Sequence, residues 1–133
     1  KNFDLICANE KEVRISLNDH SSGIENLCKD LIEETLCKNL IIKLGSKGLI
    51  LYKKNEKKEI ISQPFPALNI HPIDTAGAGD SLLACMACGI SAGLPIEYVT
   101  AISCFVTSLS VERMGNIPIK KDILKNKIKS QDI

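Results

Sequence analysis

The sequence predicts an α/β fold with a largely parallel sheet, because short apolar runs alternate with segments of helical spacing. Residues 3–8 and 40–42 are short, mainly apolar runs of the kind that form buried strands. Between them, apolar residues recur at positions 24, 27, 28, 31 and 32, which places them on one face of a helix. Such an alternation is typical of a sheet whose faces are covered by helices.

The remaining segments continue this alternation. Residues 9–17 predict a short helix and residues 18–23 a loop of polar and turn-forming residues. A turn at 45–48, a strand at 49–52, a charged hairpin tip at 53–59 and a strand at 60–61 follow, after which Pro64 and Pro66 are expected to break the pattern. Residues 68–73 are expected to be extended, and 81–92 to form a buried helix. A second helix runs from Pro95 to about Val111, and a lysine-rich helix or tail with a solvated face covers 120–129.

The composition excludes several classes of protein. A length of 133 residues fits one compact domain. A net charge of +1 and an aromatic content of 4% argue against nucleic-acid binding through a basic surface or a base-stacking platform. No apolar run approaches the roughly 18 residues of a membrane-spanning helix. The chain begins at Lys1 and enters an apolar run almost at once, so we expect it to be a piece of a longer protein.

Six cysteines raise the question of a disulfide, redox or metal role. Cys85 and Cys88 have CxxC spacing, but a zinc site needs about two more ligands, and the sequence has no second CxxC and no His pair. A redox CxxC usually stands at a helix N-terminus, whereas this pair lies well inside a predicted helix. Buried free thiols in a reducing cytoplasm are therefore the favoured interpretation, with redox and zinc roles as the alternatives.

The most informative stretch is residues 74–80, with the sequence DTAGAGD. Its small residues stand between an extended segment and an apolar helix, where backbone N–H groups and the helix N-terminus can together bind an anion. A carboxylate beside bound phosphate is unfavourable for simple binding, but it suits a base that accepts a proton from an attacking hydroxyl. Asp80 is therefore either such a base or the capping residue of a glycine-rich helix N-terminus.

This stretch and the helix after it resemble the C-terminal signature of the ribokinase-like, or pfkB, carbohydrate kinases. Residues 9–12 (NEKE) are similar to the NxxE motif of that family, and residues 44–48 (LGSKG) to its nucleotide-contacting LGxxG turn. Residues 110–115 (SVERMG) resemble its final loop near the nucleotide. The resemblance covers nearly the whole chain. It implies a ribokinase-like fold, here the C-terminal half of a three-layer α/β/α sandwich with a largely parallel sheet.

The resemblance also implies catalytic roles. Asp80 would be the base that deprotonates the substrate hydroxyl. The backbone N–H groups of Gly77, Ala78 and Gly79 would stabilise the transferring phosphate, where negative charge develops in the transition state.

A second set of residues is implied to bind the nucleotide. Asn9 would reach the nucleotide phosphates and Glu12 would order water around Mg²⁺. The implied nucleotide-binding positions are Asn9, Glu12, Lys43, Gly45, Ser46, Gly48 and Cys104. Lys43 stands where many members have Thr, so it either meets a phosphate or is solvated. Cys104 stands near a position where many members have Asn or His.

A third set matches positions that hold a monovalent cation such as K⁺ in ribokinase-like members. These positions are Asp74, Ala76, Ser110, Arg113 and Gly115. Most of the implied contacts are backbone carbonyls, whereas Asp74 also offers a carboxylate.

The function implied is phosphoryl transfer from ATP to a hydroxyl of a sugar or sugar-like substrate, with Mg²⁺ and K⁺ as metals and with ATP, ADP and the sugar or sugar phosphate as partners. The alternatives are a nucleotide-binding fragment without turnover and a member that acts on a heptose phosphate or a nucleoside.

Residues 1–133 would be the nucleotide-binding and catalytic portion. The N-terminal substrate half and its lid are missing, so we expect the isolated chain to be inactive. A strand exposed by that division would favour self-association through residues 3–7.

Overall fold

The computed structural model describes residues 1–69, 71–115 and 117–130, and the chain divides into two compact units, Lys1–Phe65 and Pro66–Ile133. The first unit contains β1 (Leu5–Asn9), α1 (Glu10–Leu17), α2 (Ile24–Thr35), β2 (Asn39–Lys43), β3 (Leu49–Lys54) and β4 (Ile60–Phe65). The second contains α3 (Ala78–Ser91), α4 (Ile96–Ser110) and α5 (Lys121–Lys129). The α/β class predicted from the alternating pattern is confirmed.

The four strands form one sheet in the order β1-β2-β3-β4. β1 and β2 are parallel, and Asn9 is opposite Lys43 at their carboxyl ends. β2 pairs with β3 and β3 with β4 in antiparallel orientation, which corrects the expectation of a largely parallel sheet for the described residues. The reason is loop length, because a parallel connection needs about a dozen residues, and both β2–β3 and β3–β4 are joined by tight turns.

The core of the first unit lies between the sheet and the two helices that follow β1. The helical face predicted in α2 is confirmed, since Leu27, Cys28, Leu31 and Ile32 are all buried. Apolar side chains from alternate positions of β2 pack against that face. The members of this core are Ala8, Val13, Leu27, Cys28, Leu31, Ile32, Cys37, Leu40, Ile42 and Tyr52.

Pro64 lies inside β4, in register with Ile50, so the expectation that it breaks the strand is wrong. Within the part of the chain that the structure describes, β4 is the terminal strand and pairs only with β3. A residue without an N–H is tolerated at such an edge, because it has no further strand to donate to. Residues 68, 69 and 71–73, by contrast, were expected to be extended but form no strand, and Ile70 is outside the described residues.

The second unit is built on a helical hairpin. α3 and α4 are connected by residues 92–95 and pack closely against each other. A Cβ atom at Gly89 would lie 2.5 Å from Val99 Cγ1, so the glycine permits the close approach of the two helices. α5 then packs on α4.

α3 differs from the predicted buried helix in two ways. It begins at Ala78 rather than at residue 81, because Gly77 adopts a left-handed conformation (φ 75°) and serves as N-cap. Only Leu82 and Met86 are buried, while Leu83 and Cys88 are exposed. Among the described helices, none has the length and apolar character needed to span a membrane.

Candidate functional site

The first candidate residues lie where β1 runs directly into α1. Asn9 is the last residue of β1 and the N-cap of α1. The Glu12 N–H donates to Asn9 Oδ1 (2.8 Å), and the Asn9 N–H donates to Glu12 Oε2 (2.7 Å). This reciprocal pair is a capping box, which satisfies two N–H groups of the first helical turn. The structure thus gives the NxxE motif a local structural role that the sequence analysis missed, although the Asn-x-x-Glu spacing signals it.

Lys43 joins this pair from the neighbouring strand. It ends β2 opposite Asn9, and its Nζ lies 3.7 Å from Glu12 Oε2. The structure therefore brings Asn9, Glu12 and Lys43 together at the carboxyl ends of the two parallel strands, the edge of an α/β sheet where ligands usually bind. The Lys43 side chain is 30% exposed, so both interpretations of this lysine, contact with a phosphate and solvation, stay predictions.

The predicted turn after β2 is confirmed and contains Gly45, Ser46 and Gly48. Residues Gly45–Lys47 form a single 3-10 turn, which is closed by a hydrogen bond from the Leu44 N–H to the Gly48 carbonyl (2.8 Å). Gly48 has φ 93° and ψ −134°, a conformation that only glycine adopts readily. The turn lies directly after Lys43 and leaves its glycines without side chains that would block a planar ligand.

In the second unit, the DTAGAGD stretch forms a turn followed by the first turn of α3. Gly77 is the N-cap, Ala78 and Gly79 open the helix, and Asp80 is its third residue. Asp80 is not the N-cap, because it lies inside the helix. Its carboxylate is exposed and stands in the first turn, where the helix dipole favours negative charge.

Asp74 connects this turn to the loop after α4. Its Oδ1 accepts a hydrogen bond from the Ala76 N–H (2.9 Å), and its Oδ2 accepts one from the Gly115 N–H (3.0 Å). These hydrogen bonds, first that from Gly115, lower the pKa of the Asp74 carboxyl below its usual value. The Val111 carbonyl completes the connection by accepting from the N–H groups of Ile73 (2.8 Å) and Asp74 (3.3 Å).

The other predicted cation-site residues follow α4. Ser110 is its last residue, and its Oγ donates to the Thr107 carbonyl (2.8 Å). Arg113 is exposed in the loop between Ser110 and Gly115. The structure thus brings Asp74 into direct contact with Ala76 and with Gly115, while Ser110 ends α4 and Arg113 lies in the loop that follows.

Cys104 is set apart from this loop. It is half-buried in α4, six residues before Ser110, which is about 9 Å along the helix axis. Burial, and secondarily the neighbouring Cys85, raises the pKa of the Cys104 thiol to about 11.

Cys85 and Cys88 are free thiols within α3, and no group of three metal-ligating side chains occurs among the described residues.

The sequence and the fold match known proteins over nearly the whole chain. Residues 1–122 match the pfkB family of carbohydrate kinases. A protein from Pyrococcus horikoshii described as a sugar kinase is 33% identical over 128 residues, which is 93% of this chain and 36% of that protein. The chain therefore spans little more than a third of the length of this relative.

Solved structures also match this chain over nearly its whole length. Arabidopsis thaliana ribokinase, complexed with ribose and ATP, superposes with a TM-score of 0.74 at 27% identity, over 95% of this chain and 41% of that one. Escherichia coli phosphofructokinase-2, in complex with potassium, superposes with a TM-score of 0.81 over 97% of this chain and 41% of that one, and at 16% identity it shows the fold alone.

The fold is that of the ribokinase-like proteins, a class of sugar phosphotransferases. The chain belongs to the pfkB family of carbohydrate kinases.

Proposed function

We propose that this chain supplies the ATP site and the catalytic base of a kinase that transfers the γ-phosphoryl group of ATP to a hydroxyl of a sugar or sugar-like substrate. The observation that carries the proposal is the position of Asp80, an exposed carboxylate in the first turn of α3 directly after the left-handed Gly77. A base at this position accepts the hydroxyl proton while nearby N–H groups at the helix N-terminus stabilise the developing negative charge.

The first unit supplies nucleotide contacts in this proposal. Asn9 and Lys43 bind the phosphates, while Gly45, Ser46 and Gly48 line the nucleotide site. Carboxylate oxygen is the donor that Mg²⁺ prefers, and the capping box fixes the orientation of the Glu12 carboxylate. Glu12 would hold water around Mg²⁺, which supplies charge neutralisation at the transferring phosphate when it is bound.

The second unit supplies the remaining contacts. Each Asp74 carboxylate oxygen accepts one N–H and retains a lone pair, so the residue fits a monovalent cation such as K⁺. Ala76, Ser110, Arg113 and Gly115 would add backbone carbonyls. Cys104 is proposed as a nucleotide neighbour only by its position in the sequence.

The substitution Asp80→Asn tests the catalytic base in the protein that carries this chain. We expect phosphoryl transfer to fall by about 10²–10⁴-fold while the affinity for a non-hydrolysable ATP analogue changes little, because only proton transfer is lost. Transfer is measured as ADP release with a panel of sugars, and affinity by calorimetry. Asp122→Asn is the matched control, since Asp122 is an exposed carboxylate in the first turn of α5. Undiminished turnover in Asp80→Asn would exclude Asp80 as the base.

A nucleotide-binding chain without turnover is the second candidate. This chain matches about 36–42% of the length of its relatives, so its own turnover is tested apart from that of the protein that carries it. Calorimetric binding of an ATP analogue by these 133 residues without ADP release on the sugar panel would favour this candidate. ADP release would favour the kinase.

Two further properties belong to the proposal. A reducing cytoplasmic location is supported by the six free thiols. Self-association through the N-terminal sheet edge is supported by the terminal position of β1 in the sheet.

A further inference from the structure

The lysine-rich helix α5 has one lysine that does not lie on its solvated face. Ile123, Leu124 and Ile128 are half-buried, and Lys127 shares their face by the helical i, i+4 spacing. Its side chain is 28% exposed, whereas Lys125 and Lys129 are exposed residues. A lysine on the apolar face of an amphipathic helix is unfavourable unless its charge is paired.

Lys127 is paired with the loop after α4. Its Nζ donates to Glu112 Oε1 at 2.7 Å, across 15 residues of sequence. Glu112 lies between Val111, the C-cap of α4, and the exposed Arg113. Both partners are partly shielded from water, with side chains 28% and 36% exposed, so solvent weakens the interaction less than in a fully exposed pair.

A small cavity lies beside this ion pair. It has a volume of about 60 Å³ and is lined by Ser110 at the end of α4, by loop residues that include Arg113, and by Ile123 of α5. Among the described residues, the loop rests on α5 through this ion pair and a loosely filled contact, so packing alone does not fix its position. The loop is held elsewhere by the hydrogen bonds of Val111 and Gly115 with the Asp74 segment.

We propose that Lys127 is a positioning residue that fixes the loop 111–115 through Glu112 and thereby sets the affinity of the cation site on that loop. The cation part of the inference rests on the proposed function. Without the ion pair, the loop loses its side-chain contact with α5 and keeps its hydrogen bonds with the Asp74 segment and with the end of α4, so the carbonyls that would bind the cation become less well ordered.

The first test measures amide hydrogen exchange in the chain as it stands. In Lys127→Met, which keeps the alkyl stem but removes the charge, we expect the Gly115 amide to exchange about three- to tenfold faster than in the wild type. Lys125→Met is the matched control and should leave that amide unchanged. The charge-swapped double variant Glu112→Lys/Lys127→Glu should restore the protection, because it forms the same ion pair with the charges exchanged. If the faster exchange came from altered packing at either position, the double variant would not restore it.

The second test measures Tm against KCl concentration at constant ionic strength, with LiCl as the balancing salt. We expect Lys127→Met to raise the concentration of half-maximal effect at least about threefold, and the double variant to restore it. Equal Gly115 exchange in Lys127→Met and Lys125→Met would overturn the positioning role. A wild-type chain that does not respond to KCl would overturn the cation site, while the exchange result still decides the role of Lys127.

Discussion

At the scale of single residues, two serines on α4 have the same burial and opposite hydrogen-bonding states. Ser103 is fully buried, and its Oγ donates to the Val99 carbonyl at 2.8 Å. Ser108 is 3% exposed, and its Oγ has no hydrogen-bond partner. A buried hydroxyl without a partner loses its hydrogen bonds to water on folding, and no hydrogen bond within the protein compensates for that loss.

We therefore expect Ser108→Ala to leave the free energy of unfolding unchanged or to raise it by about 1 kcal/mol, whereas Ser103→Ala lowers it by about 1 kcal/mol. Urea denaturation of the two variants and the wild type gives the comparison. If both substitutions lower the stability equally, the Ser108 hydroxyl has a partner after all.

Asp19 predicts part of the pH dependence of stability. Its Oδ1 accepts from the N–H groups of Ser21 and Ser22, both at 3.0 Å, and contacts with Ser22, then Ser21, lower the pKa of the carboxyl to about 2. Since the pKa in the folded state is lower than in the unfolded state, the contribution of Asp19 is complete above about pH 4 and is lost as the pH falls towards 2.

The substitution Asp19→Asn retains an acceptor oxygen but removes the titration. We expect the fall in Tm between pH 5 and pH 2.5 to be smaller in this variant than in the wild type, as measured by circular dichroism. Asp30→Asn on α2 is the control and should follow the wild type. Parallel curves for Asp19→Asn and the wild type would contradict the assigned pKa shift.

At the scale of secondary-structure elements, the contact between α3 and α4 depends on Gly89. Replacing a helical glycine by alanine usually stabilises a helix by about 1 kcal/mol. Here the added Cβ would lie 2.5 Å from Val99 Cγ1, and the β-branched valine cannot rotate away easily. We expect Gly89→Ala to lower the free energy of unfolding by about 1–3 kcal/mol.

The double variant Gly89→Ala/Val99→Ala separates overpacking from other effects. Removing the valine methyl groups relieves the clash, so its loss of stability should be smaller than the sum of the two single losses. Ser91→Ala, at an exposed position of the same helix, is the control and should change little. Strict additivity of the two substitutions, measured by denaturant unfolding, would argue against this contact.

The elements also show which features follow from local sequence. The helix α2 is predictable because its apolar spacing alone defines the buried face, and the turn at Gly48 because it requires glycine. The strand direction is not predictable from apolar runs, although the short connection between β2 and β3 indicates an antiparallel pair. The sequence does not predict that α3 starts at Ala78, because a glycine such as Gly77 occurs in the left-handed conformation both at a helix N-cap and inside a loop.

The contacts of the candidate site also fall into those that the local sequence predicts and those that it does not. Its sequence motifs predict the turn before Asp80 and the segment of Asn9 and Glu12, because neighbouring residues make these contacts. The hydrogen bond between Asp74 and Gly115 and the pair of Lys127 with Glu112 join residues 41 and 15 positions apart. Such contacts depend on how α4 and α5 pack, which periodicity does not specify.

At the scale of the whole molecule, the two edges of the sheet differ. β4 contains Pro64 and follows a charged turn, both of which hinder the addition of another strand. β1 has the sequence LICAN, with neither proline nor charge, and Phe3 just before it is 50% exposed. Of these two edges, β1 is therefore the one suited to pairing.

We expect light scattering over a concentration series to show self-association of the wild type that Phe3→Lys reduces. Ile61→Lys is the matched control, because it places the same charge at the similarly exposed position of β4 and should leave the association unchanged. A species that stays monomeric at every concentration would contradict pairing through β1.

The hairpin of α3 and α4 has a mechanical consequence. The two helices pack closely at Gly89 and Val99 and are antiparallel, so the start of α3 and the end of α4 lie at the same end of the hairpin. The hydrogen bonds from Ile73 and Asp74 to the Val111 carbonyl connect the segment before α3 to the C-cap of α4. A displacement of the C-cap of α4 would therefore be transmitted to the segment that leads into Asp80, although the two are far apart in sequence.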